Sequence, residues 1–263
     1  MTVLPVASGG GFQPPTIDDF FPQPVLAYGT WLQFDRIELV RIVAAAVVLI
    51  LFVVAAHRAK LVPGRFQAAM EWVLDFVRKN VVNDVLGEEK GRRHIPLLTT
   101  IFVAILAFNL TGIIPGLNIA GTSRIGLPLL FAVWVYISYL AAGVREHGVL
   151  RFLKNSLFPP GVPWFMYILL TPVEFLQVFI IRPATLALRL MANMVAGHLM
   201  LALCFIATEY FLLDVPAMKA FSVLTFVSAF AMMLFEAFVA ALQAYIFTIL
   251  AAVYISLSTA DEH

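Results

Sequence analysis

The sequence predicts an all-α integral membrane protein with about five membrane-crossing helices and one amphipathic surface helix. The first indication is composition, since 62% of the 263 residues are hydrophobic and only 13% are charged. That balance is typical of proteins that live in a bilayer. The second is a series of apolar runs long enough to span a membrane. The third is that the last two runs are very long, which predicts strongly tilted helices forming an antiparallel hairpin.

The first part of the chain supplies a tail and three ordinary spans. Residues 1–36 are rich in glycine and proline, lack the basic and apolar regions of a signal peptide, and are expected to form an extracytoplasmic tail. A single membrane domain is expected over 37–258, with a short cytoplasmic tail at 259–263. The first three spans are predicted at 37–57, 95–114 and 126–143. Each matches a hydrocarbon core of about 30 Å at a rise of about 1.5 Å per residue.

The segment 63–86 has a different pattern. Its apolar residues, among them Phe66, Met70, Val73 and Val77, recur at helical spacing, and its charged residues lie elsewhere on the wheel. This pattern predicts an amphipathic helix on the membrane surface.

Two long apolar runs, 163–211 and 217–258, complete the chain. As continuous helices each would be about 60–70 Å long, twice the thickness of the bilayer core. The alternative is four ordinary spans joined by short turns, but neither run contains a charged turn that would serve. Pro172 and Pro183 are expected to kink the first long helix.

Lysine and arginine indicate the orientation. They concentrate in the loop between the first two spans and in the loop after the third, at Arg58, Lys60, Arg65, Arg78, Lys79, Lys90, Arg92, Arg93, Arg145, Arg151 and Lys154. In a five-span chain both loops lie on one side, which the positive-inside rule makes cytoplasmic. The N-terminus is then outside and the C-terminus inside.

Arg189 is the residue that most directly suggests a function. It lies in an apolar run with no acidic residue nearby, and arginine keeps its charge in any protein environment. A charged side chain in a bilayer costs a few kcal/mol or more, and such residues usually have a partner and a function. The partner of Arg189 must therefore lie elsewhere.

Other polar residues in the long runs fall into register in a hairpin. A tight turn at Val215 and Pro216 brings Arg189 level with Gln243 and His198 level with Glu236, within about two residues or 3 Å. Gln243 can then accept a hydrogen bond from Arg189 without neutralising it. The remaining members of the polar set are Glu174, Arg182, Asn193, Glu209 and Asp214.

Four of these residues have a structural alternative. His198 and Glu236 form an acid–imidazole couple suited to proton transfer, or a static pair that holds two helices together. Glu209 and Asp214 line a proton entrance, or simply reach the outer surface from the helix end. Arg182 and Asn193 extend the polar stripe of Arg189, because they lie seven and four residues from it.

Three segments carry a resemblance to subunit a of the F-type ATP synthase. Arg182-Pro-Ala-Thr-Leu-Ala-Leu-Arg-Leu-Met-Ala-Asn-Met-Val-Ala-Gly-His198 resembles the arginine-bearing helix of that family. Ala241-Leu-Gln-Ala-Tyr-Ile-Phe-Thr-Ile-Leu-Ala-Ala-Val-Tyr-Ile-Ser256 resembles its last helix, and Phe108-Asn-Leu-Thr-Gly-Ile-Ile-Pro-Gly116 the end of its second span. The likeness runs in order from about residue 37.

The resemblance implies a stator subunit beside a ring of c subunits, joined to a b-type peripheral stalk in a bacterial plasma membrane. Such a subunit would conduct protons through two half-channels without catalysing ATP chemistry. By position, Arg189 corresponds to the essential arginine, with Asn193 and Gln243 beside it. His198, Glu236, Glu209 and Asp214 then belong to the outer path and Glu174 to the inner one.

One spacing departs from the family pattern. Glu174 lies eight residues before Arg182, where many members have seven, so it would turn by about 100° unless a local bulge absorbs the extra residue. No cofactor, metal or nucleic acid is expected. The rival function is a secondary ion or anion transporter that uses Arg189 as a clamp. A membrane enzyme is disfavoured, since the sequence lacks the common hydrolase and phosphate-loop motifs.

Overall fold

The computed structural model describes residues 12, 14–16, 35–114, 117, 119–157, 164–215 and 218–260. Nearly all of this is helical, and no strand occurs within these ranges, which confirms the predicted all-α membrane fold. The helices are α1 (Arg36–His57), α2 (Arg65–Val77), α3 (Asp84–Leu86), α4 (Glu88–Gly91), α5 (Ile95–Leu110), α6 (Gly126–His147), α7 (Val149–Leu157), α8 (Tyr167–Leu176), α9 (Arg182–Leu213) and α10 (Lys219–Thr259). Most of the predicted 1–36 tail, residues 261–263 and Pro216 at the hairpin turn lie outside the described residues.

Five segments of the described chain are long and apolar enough to cross a membrane. Three have 22, 23 and 22 residues, and the last two, Tyr167–Leu213 and Lys219–Thr259, have 47 and 41. At about 1.5 Å per residue both exceed 60 Å, so they must lie strongly tilted if their apolar length is to stay within about 30 Å of hydrocarbon. The first of the two is α8 and α9 joined by a π-helical turn, Gln177–Ile181.

The segment predicted as one amphipathic helix over 63–86 is built of several pieces. It begins as α2, passes through a π-helix at Arg78–Asn83, and ends after α3 at Gly87, whose φ of 75° suits glycine. Its buried side is valine-rich, with Val77, Val81 and Val82 fully covered. The short helix α7 was not anticipated from the sequence.

The core lies where the C-terminal half of α10 packs against α5, α6 and α9. Its largest members are Tyr139, Phe247, Ile101, Ile105, Leu190 and Ile255, each no more than 2% exposed. By contrast α1 is mostly exposed and packs chiefly on α5. The rest of the protein therefore packs on the hairpin of α9 and α10 mainly at the C-terminal half of α10.

Ionic contacts tie helix ends together at both ends of the bundle. Arg124 and Asp35 pair at 2.7 Å, which joins the start of α6 to the start of α1. At the other end Glu146, near the end of α6, pairs with Arg93 at 3.3 Å and Lys90 at 4.0 Å. The two basic loops identified in the sequence therefore lie at the same end of the bundle.

Candidate functional site

The polar residues of the long helices are brought together by the hairpin itself. Thr208 of α9 and Thr225 of α10 are hydrogen-bonded at 2.9 Å, and further along Asn193 and Gln243 are hydrogen-bonded at 2.7 Å. These contacts fix the register of the two antiparallel helices over 15 residues of α9 and 18 residues of α10, about four to five turns. Both are contacts between side chains of the two helices.

Gln243 is the buried member of the Asn193–Gln243 contact. Its Oε1 accepts a hydrogen bond from Nδ2 of Asn193, and the side chain is only 2% exposed. Its Nε2 is buried and makes no hydrogen bond to any described residue. Both N–H donors of this amide are free to bond to a further group, and leaving them buried and unpaired costs free energy.

Arg189 lies one turn before Asn193, on the exposed side of α9. No hydrogen bond or ion pair joins it to any residue that the structure describes, and in particular Gln243 bonds to Asn193 rather than to Arg189. The exposed residues next to it on α9 are largely apolar: Leu188 is 52% exposed, and Ala192 and Ala196 are exposed as well. An arginine thus projects from an apolar surface near the middle of the 47-residue segment.

Glu236 is buried between the two long helices. It is 1% exposed, and neither carboxyl oxygen has a hydrogen-bond partner among the described residues. It packs on Gly197, where an added Cβ would lie 3.5 Å from its Cγ and 3.6 Å from its Oε1. His198 is the next residue and is partly buried. The structure thus places Glu236 level with Gly197, and direct contact between the carboxyl and the imidazole stays a prediction.

The remaining predicted residues are spread along the hairpin. Glu209 and Asp214 are exposed near the end of α9. At the opposite end, Arg182 stands over the ring of Tyr254 at 5.4 Å, a cation–π distance. Glu174 is partly buried and separated from Arg182 by the π-helical turn.

Sequence reasoning missed a buried polar cluster at the end of α5. Asn109 is fully buried, accepts a 2.6 Å hydrogen bond from Thr122 and donates at 3.4 Å to the carbonyl of Ala240. Because Ala240 lies between Glu236 and Gln243 on α10, this cluster anchors the helix that carries both. An asparagine inside a predicted span was the available signal, but nothing in the sequence indicated its partner 131 residues away.

No group of three or more metal-ligating side chains occurs within the described ranges. The arrangement therefore offers one exposed cation on an apolar surface, an amide pair beside it and a buried carboxyl further along. Ionisable and amide groups at membrane depth are candidates for ion or proton movement.

Comparisons with known proteins agree with one another. The family model described as ATP synthase A chain matches residues 39–256. The ATP synthase subunit a of Rhodococcus erythropolis is 44% identical over 254 residues, covering 96% of this chain and 92% of the relative. That of Pseudarthrobacter chlorophenolicus is 36% identical over 262 residues, covering 99% and 98%. The corresponding protein of Streptomyces lividans is 33% identical, covering 98% and 92%.

Proposed function

The chain belongs to the ATP synthase A chain family, and from that premise we propose that it is the proton-conducting stator subunit of the membrane sector of a rotary ATP synthase. In this function it catalyses no ATP chemistry, which takes place on other subunits. It lies beside a ring of c subunits and is held by a b-type peripheral stalk. The observation that carries the proposal is Arg189, an exposed cation on an apolar surface.

The charge of Arg189 requires a counter-charge outside the described part of this chain. Since the exposed face around it is apolar, the group that covers it must itself be largely apolar and bring a single anion. A membrane helix with one carboxyl group meets both requirements. Such a carboxyl group crosses lipid only when protonated, because the ionised form is too costly to bury there.

Arg189 then acts as a fixed charge that controls the ionisation of the ring carboxyl group. An opposite charge nearby favours the ionised form of a carboxyl group, so each ring site loses its proton as it comes opposite Arg189. Because the guanidinium keeps its own proton, it cannot relay that proton onward. The same residue therefore drives deprotonation and blocks a direct leak between the two sides.

Two half-channels would serve the ring site from opposite sides. The outer one runs from Glu209 or Asp214 by way of His198 and Glu236 to the Asn193–Gln243 pair. The burial of Glu236 without a hydrogen-bond partner supports a role in proton transfer, because a purely structural carboxylate would be expected to have its oxygens satisfied. The inner path leaves past Glu174, near Arg182.

The orientation belongs to the same proposal. The two basic loops lie at one end of the bundle, held by Glu146, and the positive-inside rule makes that end cytoplasmic. The chain then lies in a bacterial plasma membrane with its N-terminus outside and its C-terminus inside. The end bearing Glu209 and Asp214 faces outward.

Replacing Arg189 tests the proposal. We expect Arg189→Ala to abolish ATP-driven proton pumping in membrane vesicles while the complex still assembles, because the ring carboxyl group loses the charge that favours its ionisation. Pumping is measured by quenching of a pH-sensitive dye, and assembly by copurification of the subunits. Arg151→Ala is the matched control, since Arg151 is an exposed arginine on α7, outside the two long helices.

Normal coupled pumping by Arg189→Ala would refute the proposal. The rival function, a secondary ion or anion transporter, makes a different prediction. It requires the purified chain alone to transport an ion in liposomes, whereas the stator role requires copurification with a small two-helix protein bearing one carboxyl group in its membrane segment.

A further inference from the structure

The long helix that carries Arg189 contains a single π-helical turn, Gln177–Ile181, called the π-turn below. It lies between Glu174 and Arg182. Its defining hydrogen bond runs from the backbone N–H of Arg182 to the carbonyl of Gln177, five residues back. One such turn inside an α-helix accommodates one extra residue.

The residue sequence explains why the turn forms here. Pro183 has no N–H, and in a regular helix its ring would press on the carbonyl four residues earlier. Two carbonyls therefore lose their usual donors. The N–H of Arg182, which would bond to Val178, bonds to Gln177 instead, and Pro183, which would bond to Phe179, has no N–H. A buried carbonyl without a donor is costly.

Tyr139 of α6 supplies a donor to one of these carbonyls. Its hydroxyl donates to the carbonyl of Val178 at 2.7 Å, and both residues are buried, at 2% and 4% exposure. The contact therefore joins the π-turn to a separate helix that packs along α9. It satisfies the Val178 carbonyl, one of the two that the turn and Pro183 together leave without their usual backbone donors.

Aromatic rings surround this contact. Tyr139 lies 6.2 Å from the ring of Tyr254 and 5.4 Å from that of Tyr136, and Tyr136 packs edge-on against Phe179 inside the π-turn at 6.5 Å. Tyr254 in turn carries Arg182 over its face. The hydroxyl of Tyr139 is thus held in place by packing on several sides, and the same cluster holds Arg182.

The π-turn sets the rotation of Glu174 relative to Arg182. Eight residues of regular α-helix rotate by about 800°, which leaves the two side chains about 80° apart around the axis. With one residue absorbed by the turn, the rotation is that of about seven residues, and the two differ by about 20°. Both are partly buried on the side where Val178 is buried, which agrees with this alignment.

We propose that Tyr139 is a positioning residue that pins the π-turn and thereby keeps Glu174 and Arg182 on one face, at the inner path. The inference rests on the proposed function for the meaning of that path. The geometry is a separate claim, because the rotation of Glu174 is measurable whether or not protons pass there.

Cysteine accessibility measures the rotation. In a Cys204→Ser background, Glu174→Cys is introduced and its rate of modification by a charged, membrane-impermeant thiol reagent is measured from the cytoplasmic side of vesicles. Adding Tyr139→Phe is expected to change that rate at least about fivefold, since a buried carbonyl loses its donor. Tyr136→Phe is the control. Its ring belongs to the same cluster, and its hydroxyl makes no hydrogen bond within the described residues.

A second pair of variants keeps the test decisive if Tyr139→Phe assembles poorly. Deleting Ile180 separates Glu174 from Arg182 by seven residues of regular α-helix and so preserves their alignment. Inserting an alanine after Ile180 instead rotates Glu174 by about 100° relative to Arg182. In the Glu174→Cys background, the deletion should keep the modification rate of the parent and the insertion should change it. With Glu174 intact, the deletion should keep ATP-driven pumping and the insertion should lose it. Equal behaviour of the two, or a Tyr139→Phe rate equal to that of Tyr136→Phe, would overturn the proposal. If Arg189→Ala pumped normally while the labelling rates changed as expected, the proposed function would be refuted and the role of Tyr139 in positioning the π-turn would stand.

Discussion

Gly197 gives the most direct test of the packing between the two long helices. An added Cβ would lie 3.5, 3.6 and 3.7 Å from Cγ, Oε1 and Cδ of Glu236, which is ordinary van der Waals contact. Alanine therefore fits without movement. Valine adds two methyl groups about 1.5 Å beyond the Cβ, and a methyl directed at the carboxyl group would approach to about 2–2.5 Å. Glu236 or the helix must then shift.

The magnitude follows from that overlap. Overpacking a well-packed site costs about 1–3 kcal/mol, which corresponds to about 5- to 150-fold in the population of the native arrangement. We therefore expect Gly197→Val to lower ATP-driven proton pumping at least about fivefold. Gly197→Ala should stay within about twofold of the parent, since the added contact is ordinary and alanine favours the helix by up to about 1 kcal/mol.

The assay is the initial rate of pumping per assembled complex in vesicles. Gly126→Val is the matched control, because Gly126 begins α6 and has no atom within 4 Å of an added Cβ. If Gly197→Val pumps like the parent, or if Gly197→Ala is as defective as Gly197→Val, then the close packing of Gly197 on Glu236 is not what the site depends on.

Two further predictions concern the polar pairs. Exchanging His198 and Glu236 together should retain more pumping than either single replacement by the other's residue, because the acid–imidazole couple survives; equal loss in all three would favour a static pair. For Asn193 and Gln243, leucine at either position should lower the melting temperature of the complex, with a coupling of about 0.5–1.5 kcal/mol in a double-mutant cycle, since the 2.7 Å hydrogen bond is removed by the first change alone. Additive losses would argue against that contact.

The fold class was predictable because it depends on composition and on the lengths of apolar runs. The two long terminal helices followed from the absence of charged turns within them. The break of the 63–86 segment into several pieces was harder to predict from the sequence. It depends on Gly87 adopting a positive φ and on a π-helix at Arg78–Asn83, neither of which apolar periodicity indicates.

Within the candidate site, the sequence indicated the polar residues better than their contacts. Register arithmetic brought Arg189 and Gln243 to nearly the same height, but Gln243 bonds to Asn193, one turn away. A rule based on height carries no information about which side of each helix faces its partner. That facing depends on packing against α5 and α6, for example on the Asn109 contact with the Ala240 carbonyl.

The spacing of Glu174 was flagged by the sequence as needing a bulge, and the structure has one at the π-turn. Pro183 was visible as its local cause. The donor that satisfies the freed carbonyl was not, because Tyr139 lies 39 residues away from Val178 on a different helix. Contacts between distant segments of this kind are set by the assembled bundle and leave no local pattern.

The central claim is that Arg189 stands between two aqueous paths and separates them. The most direct measurement is passive proton conductance of vesicles that hold the membrane sector without its ATP-hydrolysing part, under an imposed potential. Arg189→Ala should raise that conductance well above the parent, because the fixed charge no longer blocks transfer between the paths, while Arg189→Lys and Arg151→Ala should raise it far less. Conductance of Arg189→Ala equal to that of Arg151→Ala, in sectors of equal subunit content, would contradict the account.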